Sequence, residues 1–234
     1  MMRGKNLTGA YSLPWVLHLM RFKVDNPNLV GALLWISSLQ YFIIQLIVIS
    51  AWTVPHSWAN NFISDLGNTE CGNYAGLAVC SPLHPLMNLS FVIFGITMAV
   101  GSVYLQRAFA STTFSRSAFI LMMLSGIGTV MVGLFPENTI SSLHVVGAFL
   151  GLGIGNLSIL LLGLSLNRIH PAVRTYTIVS AMISLGAFAL FSFDVFLGLG
   201  RGGMERLISY PFTIWMVTFG FYTLLSHSRD RLKR

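Results

Sequence analysis

Charge is scarce in this chain: of 234 residues only 9% are Asp, Glu, Lys or Arg, and seven are acidic. A water-soluble domain carries about 25% charged residues, so the soluble globular class is excluded. Cysteine is almost missing too, and the two present, Cys71 and Cys80, are poor support for a metal cluster. No G-x-S-x-G elbow surrounds a serine and no H-E-x-x-H pair occurs, which removes two common signatures of hydrolytic chemistry. Near the start, Ala10–Met20 is apolar but too short to span a membrane; Pro14 interrupts it and no small-residue cleavage site follows. It reads as a cytoplasmic interfacial segment with Trp15 at the boundary, not as a cleaved signal.

What is abundant is apolar: 54% of residues, with a mean hydropathy of +0.72. Runs long enough to cross about 30 Å of hydrocarbon recur at Ala32–Thr53, Leu86–Leu105, Ala118–Phe135, Val145–Leu166, Thr177–Leu199 and Leu207–Leu225. In lipid, backbone groups must satisfy one another, so each run is expected to be a helix. The expected fold is all-α, a polytopic bundle of six transmembrane helices over residues 31–226. An N-terminal segment, 1–30, precedes it and a basic tail, 227–234, follows it.

The net charge of +7 is an orientation signal. Arg3, Lys5, Arg21, Lys23, Arg107, Arg116, Arg168, Arg174, Arg229, Arg231, Lys233 and Arg234 fall on one side of the six runs, leaving only Arg201 and Arg206 on the other. By the positive-inside rule both termini are cytoplasmic and the plasma membrane is the expected location. The basic residues are then spent on topology and anionic headgroups, and nucleic acid is not an expected partner.

The outward side holds three loops, Val54–Pro85, Pro136–His144 and Gly200–Tyr210. They carry Asp65, Glu70, Glu137, Glu205, His56, His84, His144, Arg201 and Arg206. Cys71 and Cys80 share one of these loops in an oxidising compartment, which predicts a disulfide clipping it over the bundle. His84 and Asn88 share a helical face if span 2 begins by Pro85. His144 stands above Gly147, Gly151 and Gly155, a ridge that admits a neighbouring helix. Asp194 lies within the fifth run, where a carboxylate needs a partner or a proton, and Arg201 is the nearest cation in sequence. For His84 and His144 a helix-start hydrogen bond competes with a catalytic role; for Asn88 and Asn156 interhelical hydrogen bonds are expected.

Five strings in order, N-F-I-S-D-L-G at 61–67, C-S-P-L-H-P-L-M-N at 80–88, G-L-F-P-E-N at 133–138, H-V-V-G-A at 144–148 and G-G-M-E-R-L-I-S-Y-P at 202–211, resemble the DUF998 family of six-span prokaryotic membrane proteins. Ser64, Asp65, His144, Gly147 and Ala148 are also similar to positions of the more distant Frag1/DRAM/Sfk1 group, and that resemblance implies handling of lipids.

Two function classes follow. One is an enzyme of hydrolase or acyl-transfer type acting on a lipid at the outer leaflet. In it His144 or His84 is the base, Asp65 or Glu137 the orienter, Ser64 a candidate nucleophile and Arg206 an anion clamp. Zinc held by His84, His144 and a carboxylate is its metal variant. The other is a lipid-binding protein, transporter or scaffold without chemistry. In it Arg206, Glu205, Arg201, Asp194, Asn88 and Tyr210 hold a headgroup.

Overall fold

The computed structural model describes residues 26–167 and 169–232. The segment 1–25, with Ala10–Met20 and four of the orienting cations, lies outside the described residues, as do Arg168, Lys233 and Arg234. Six helical stretches are long and apolar enough to cross a membrane: Pro27–Ser50, His84–Phe109, Thr113–Leu134, Ser141–Ser165, Pro171–Ser192 and Gly200–Ser226. All six expected spans are therefore present.

Span 1 is two helices, α1 (Pro27–Ile36) and α2 (Leu39–Ser50), broken at Ser37–Ser38, where the Ser37 hydroxyl donates back to Leu34 O at 2.7 Å. A serine hydroxyl competing for a carbonyl in the preceding turn bends a helix in this way. Spans 2 and 3 are α3 (His84–Phe109) and α4 (Thr113–Leu134). Span 4 is composite: α5 (Ser141–Ala148), a π-helical segment (Phe149–Ile154) and α6 (Gly155–Ser165). Spans 5 and 6 are α7 (Pro171–Ser192) and α8 (Gly200–Leu232).

Each span packs on its sequence neighbours, and α1 packs on α8, so the six close into a ring. The half of the ring away from the Ser64–Gly67 turn is filled by Trp35, Phe119, Trp215 and Phe219, whose rings meet at 5.2–6.4 Å. Their polar edges are satisfied across helices: Trp35 Nε1 donates to Met98 O and Trp215 Nε1 to Thr177 Oγ1. Without a hydrophobic drive between helices in lipid, small residues and such bonds hold the ring together. At the α3–α4 crossing a Cβ on Gly95 would lie 2.3 Å from Gly126 O, so only glycine permits the approach. The ridge expected in span 4 does pack on α4: Gly147 faces Gly128, Gly151 faces Thr129 and Gly155 faces Ser125. The π segment re-aims its carbonyls; Gly151 O accepts from Ser125 Oγ at 2.8 Å. Asn156 makes the expected interhelical bond, its Nδ2 donating to Ile208 O as well as to Leu152 O.

Two sequence expectations are corrected. The fifth span ends at Ser192, not Leu199, so Asp194 lies beyond the helix and is exposed. Asp194 takes φ +56 there, with its N–H on Phe191 O, and Val195 N–H reaches back to Leu190 O; Asp tolerates the left-handed region better than most residues. It bears no buried charge and needs no partner, and Arg201 points elsewhere. The stretch Gly200–Tyr210 is not a loop: it forms the first turns of α8.

The long segment between spans 1 and 2 folds as a cap. Its 3-10 turn, Ser64–Gly67, is wholly buried in the mouth of the ring. A hairpin of β1 (Gly72–Tyr74) and β2 (Leu77–Val79) pairs antiparallel with Gly72 opposite Val79. The bonded Cys71–Cys80 pair closes it, as the sequence leads one to expect.

Candidate functional site

The cap is held from beneath by the first turns of α8. Arg206 is buried, and its Nη1 donates to Trp58 O, Asn61 O and Gly202 O at 2.7–3.0 Å, with the guanidinium 4.9 Å from the Trp58 ring centre. Arg201 likewise donates to Asn60 O and Ala75 O and lies over Phe62. Arg201 is thus engaged on backbone carbonyls, and so is Nη1 of Arg206, whose Nε and Nη2 are buried without a hydrogen-bond partner. Glu205, one residue before Arg206, accepts the Ile63 N–H. Asp65 Oδ2 accepts from Asn61 Nδ2 and Phe62 N at 3.0 and 2.8 Å. The N-F-I-S-D-L-G string therefore folds as it does because two carboxyls take its N–H groups and one arginine takes its carbonyls, which answers the need to pair buried backbone polar groups.

This anchoring delivers Ser64 and Asp65 to the loop that follows span 3. Ser64 Oγ donates to Glu137 Oε2 at 2.7 Å, and Asp65 hydrogen-bonds the same carboxyl. Reciprocal bonds between Thr69 and Asn138 and a bond from Tyr74 Oη to Glu137 O fix that loop. Burial first, then the hydrogen bond and charge of Asp65, pushes the Glu137 carboxyl up to about 9. Two acids in one site cannot both ionise cheaply, and Glu137 holds a proton at neutral pH. Its Oε1 receives no protein donor, as suits an oxygen that carries the proton.

His144, one turn into span 4, is buried and bonds Phe135 O through Nδ1 at 2.9 Å. A carbonyl at Nδ1 requires a proton there, so in the neutral ring Nε2 is the acceptor. Two cavities meet at this residue. A lateral groove of about 440 Å³ runs between spans 4, 5 and 6, and a smaller chamber of about 50 Å³ lies inside the ring. Ser64, His144, Ala148, Leu152 and Glu205 line both. The groove exists because α7 packs on α6 and α8 but scarcely touches the π segment. Phe149, Phe188 and Phe191 wall its apolar part, and Val145 and Phe149 belong to the exposed face at its edge. Its volume lies in the roughly 300–1,000 Å³ range of ligand pockets.

Of the sequence candidates, Ser64, Asp65, Glu137, His144 and Glu205 come together. His84 does not join them: its Nδ1 lies 3.0 Å from Ser81 O, at the expected start of the span-2 helix. Asn88 donates to Gly67 O and supports the 3-10 turn. Tyr210 donates to Gln45 Oε1, apart from the groove. Among the described residues no group of three His, Cys, Asp or Glu has the geometry of a metal set, so the zinc variant lacks its ligands. Sequence reasoning missed Tyr41, Thr129 and Ser209 of the inner chamber, and Phe62, Phe188 and Phe191 of the groove. A polar side chain at one turn of an otherwise apolar run was the available signal for the first three.

Because the folded Glu137 carboxyl is raised, its contribution is fully present below the unfolded value near 4.5. As pH rises the unfolded chain ionises first, and that contribution is lost up to about pH 9. Glu137→Gln keeps an oxygen for Ser64 and an N–H for Asp65. It should flatten the fall in melting temperature between pH 5 and 9 and exceed wild type at pH 8; a parallel profile in the two proteins refutes a proton on Glu137.

Six apolar helices closed into a ring under a polar cap define an integral, multi-pass membrane protein. The family model described as "Protein of unknown function (DUF998)" matches residues 30–222, and the chain belongs to that family. No curated protein and no solved structure matches the chain.

Proposed function

We propose that the protein binds a membrane amphiphile, drawn sideways from the outer leaflet into the groove between spans 4 and 5. Its polar end meets Ser64, Glu137, His144 and Glu205. The observation that carries this is the groove itself: an apolar, aromatic wall beside an exposed helix face, ending at a buried hydrogen-bonding cluster. The one-sided distribution of Lys and Arg supports an orientation with both termini cytoplasmic and the site outward, in the plasma membrane. The resemblance of Ser64, Asp65, His144, Gly147 and Ala148 to positions of the Frag1/DRAM/Sfk1 group agrees with a lipid ligand. Ala148 lines both cavities where they meet, so Ala148→Trp should fill the junction. Native mass spectrometry of the wild type in mild detergent should find a retained amphiphile, with occupancy at least tenfold lower in Ala148→Trp; equal occupancy sinks the proposal.

Chemistry of hydrolase or acyl-transfer type is the second reading, favoured by an acceptor and a proton donor on one cavity. His144 Nε2 would take the proton of an attacking water, for which the inner chamber has room. Glu137 would give its proton to the leaving oxygen of the ester. Ser64 is a weaker nucleophile in this arrangement, since its hydroxyl donates to an acid that already carries a proton.

A further inference from the structure

The geometry points to an amphiphile with a primary ammonium head, its N–H groups bound by Glu205, Ser64 Oγ and His144 at the closed end of the groove; this rests on the groove being an amphiphile site. The chemistry of the groove's closed end is one-sided once Glu137, which also lines it, has shared its proton with Asp65 and accepted from Ser64. As a carboxylate Glu205 offers only acceptor oxygens, and its protein donors are backbone N–H groups of the cap. Ser64 has committed its hydroxyl proton to Glu137, so its remaining capacity toward the groove is as an acceptor. His144 is buried, and with Nδ1 held by Phe135 O the neutral ring presents Nε2 as an acceptor while lining both cavities.

No cation among the described residues lines the groove. Neither Arg201 nor Arg206 is among its lining residues: Arg201 and Nη1 of Arg206 are engaged on carbonyls, and Nε and Nη2 of Arg206 are buried outside the groove without a partner. Among the described residues Glu205 makes no ion pair; Arg206 acts on it only as a nearby charge. A phosphate or carboxylate head would meet acceptor facing acceptor, which costs binding energy outright. An ammonium brings three donors and a positive charge to the same place. The apolar walls of Phe149, Phe188 and Phe191 take the chain.

Dodecylamine, dodecanol and dodecyl phosphate share one tail and differ only in head, so titrating each into the full-length detergent-purified protein, read by native mass spectrometry, separates the alternatives. Dodecylamine is expected to bind at least tenfold more tightly than the other two at pH 7. Glu205→Gln, which keeps an oxygen for the Ile63 N–H, should reduce that preference at least tenfold. Ser192→Lys is the second variant: Ser192 is exposed at the end of α7 and lines the groove, so it is free of the cap's folding. It should weaken dodecylamine at least tenfold and leave dodecanol unchanged. Dodecyl phosphate binding as tightly as dodecylamine, or an amine preference that survives in Ser192→Lys, overturns the ammonium assignment while leaving the groove reading intact. Failure of all three compounds to bind overturns both.

Discussion

Arg206→Met is expected to unfold the cap, with a loss of roughly 3 kcal/mol, because buried cap carbonyls lose the donor that satisfies them. The guanidinium satisfies the carbonyls of Trp58, Asn61 and Gly202 from a position only 7% exposed. Methionine fills much of the volume but leaves the carbonyls of Trp58 and Asn61 without this donor, each worth about 1–3 kcal/mol when buried, while Gly202 O keeps its place in the α8 ladder. The Asn61–Gly67 segment would lose its anchor, and with it the placement of Ser64 and Asp65. Thermal unfolding in detergent measures the loss, and proteinase K cleavage within residues 54–83 shows where it falls. A change below about 1 kcal/mol, within the range of ordinary surface substitutions and small truncations, would mean that the arginine is available for a ligand after all.

The second large effect lies at the α3–α4 crossing. A methyl on Gly126 would stand 2.5 Å from Gly95 O and 2.8 Å from Ala99 Cβ. No rotamer relieves a clash against backbone, so the helices must part along their length. Gly126→Ala is expected to cost about 3 kcal/mol, the upper end of ordinary overpacking. Gly186→Ala is the matched control in α7, where nothing lies within 4 Å of the added carbon. That substitution should leave stability unchanged or raise it by a few tenths, as alanine favours helix over glycine. Melting temperatures of the two variants decide it; similar values would mean that the crossing is looser than these distances require.

Hydropathy made the six spans legible, because twenty apolar residues in a row have few other fates. It failed at the outer end of span 5 for a physical reason: Phe193–Leu199 is almost as apolar as the helix before it, yet the chain leaves the helix there through two left-handed residues, Asp194 and Leu197. It failed again at Gly200–Tyr210, where Arg201, Glu205 and Arg206 suggest a loop but are helical because the cap supplies partners for all three. The burial of His144 could be read from the glycines beneath it. The partners of Arg206 could not, since they are carbonyls of residues 58 and 61, and a backbone acceptor leaves no mark in sequence. The groove was hidden for a related reason: it arises where the π segment and α7 meet only through a few side chains such as Phe149 and Phe188, a matter of helix geometry and not of residue type.

The most direct measurement is a side-chain-resolution density map of the protein in lipid bilayer discs, bound to a fragment that enlarges the particle. Elongated density between spans 4 and 5, ending within hydrogen-bond distance of Ser64, His144 and Glu205, is the predicted result. A groove closed by contact between α7 and the π segment, with the five polar residues satisfied among themselves, would contradict the proposed site and leave only the membrane bundle standing.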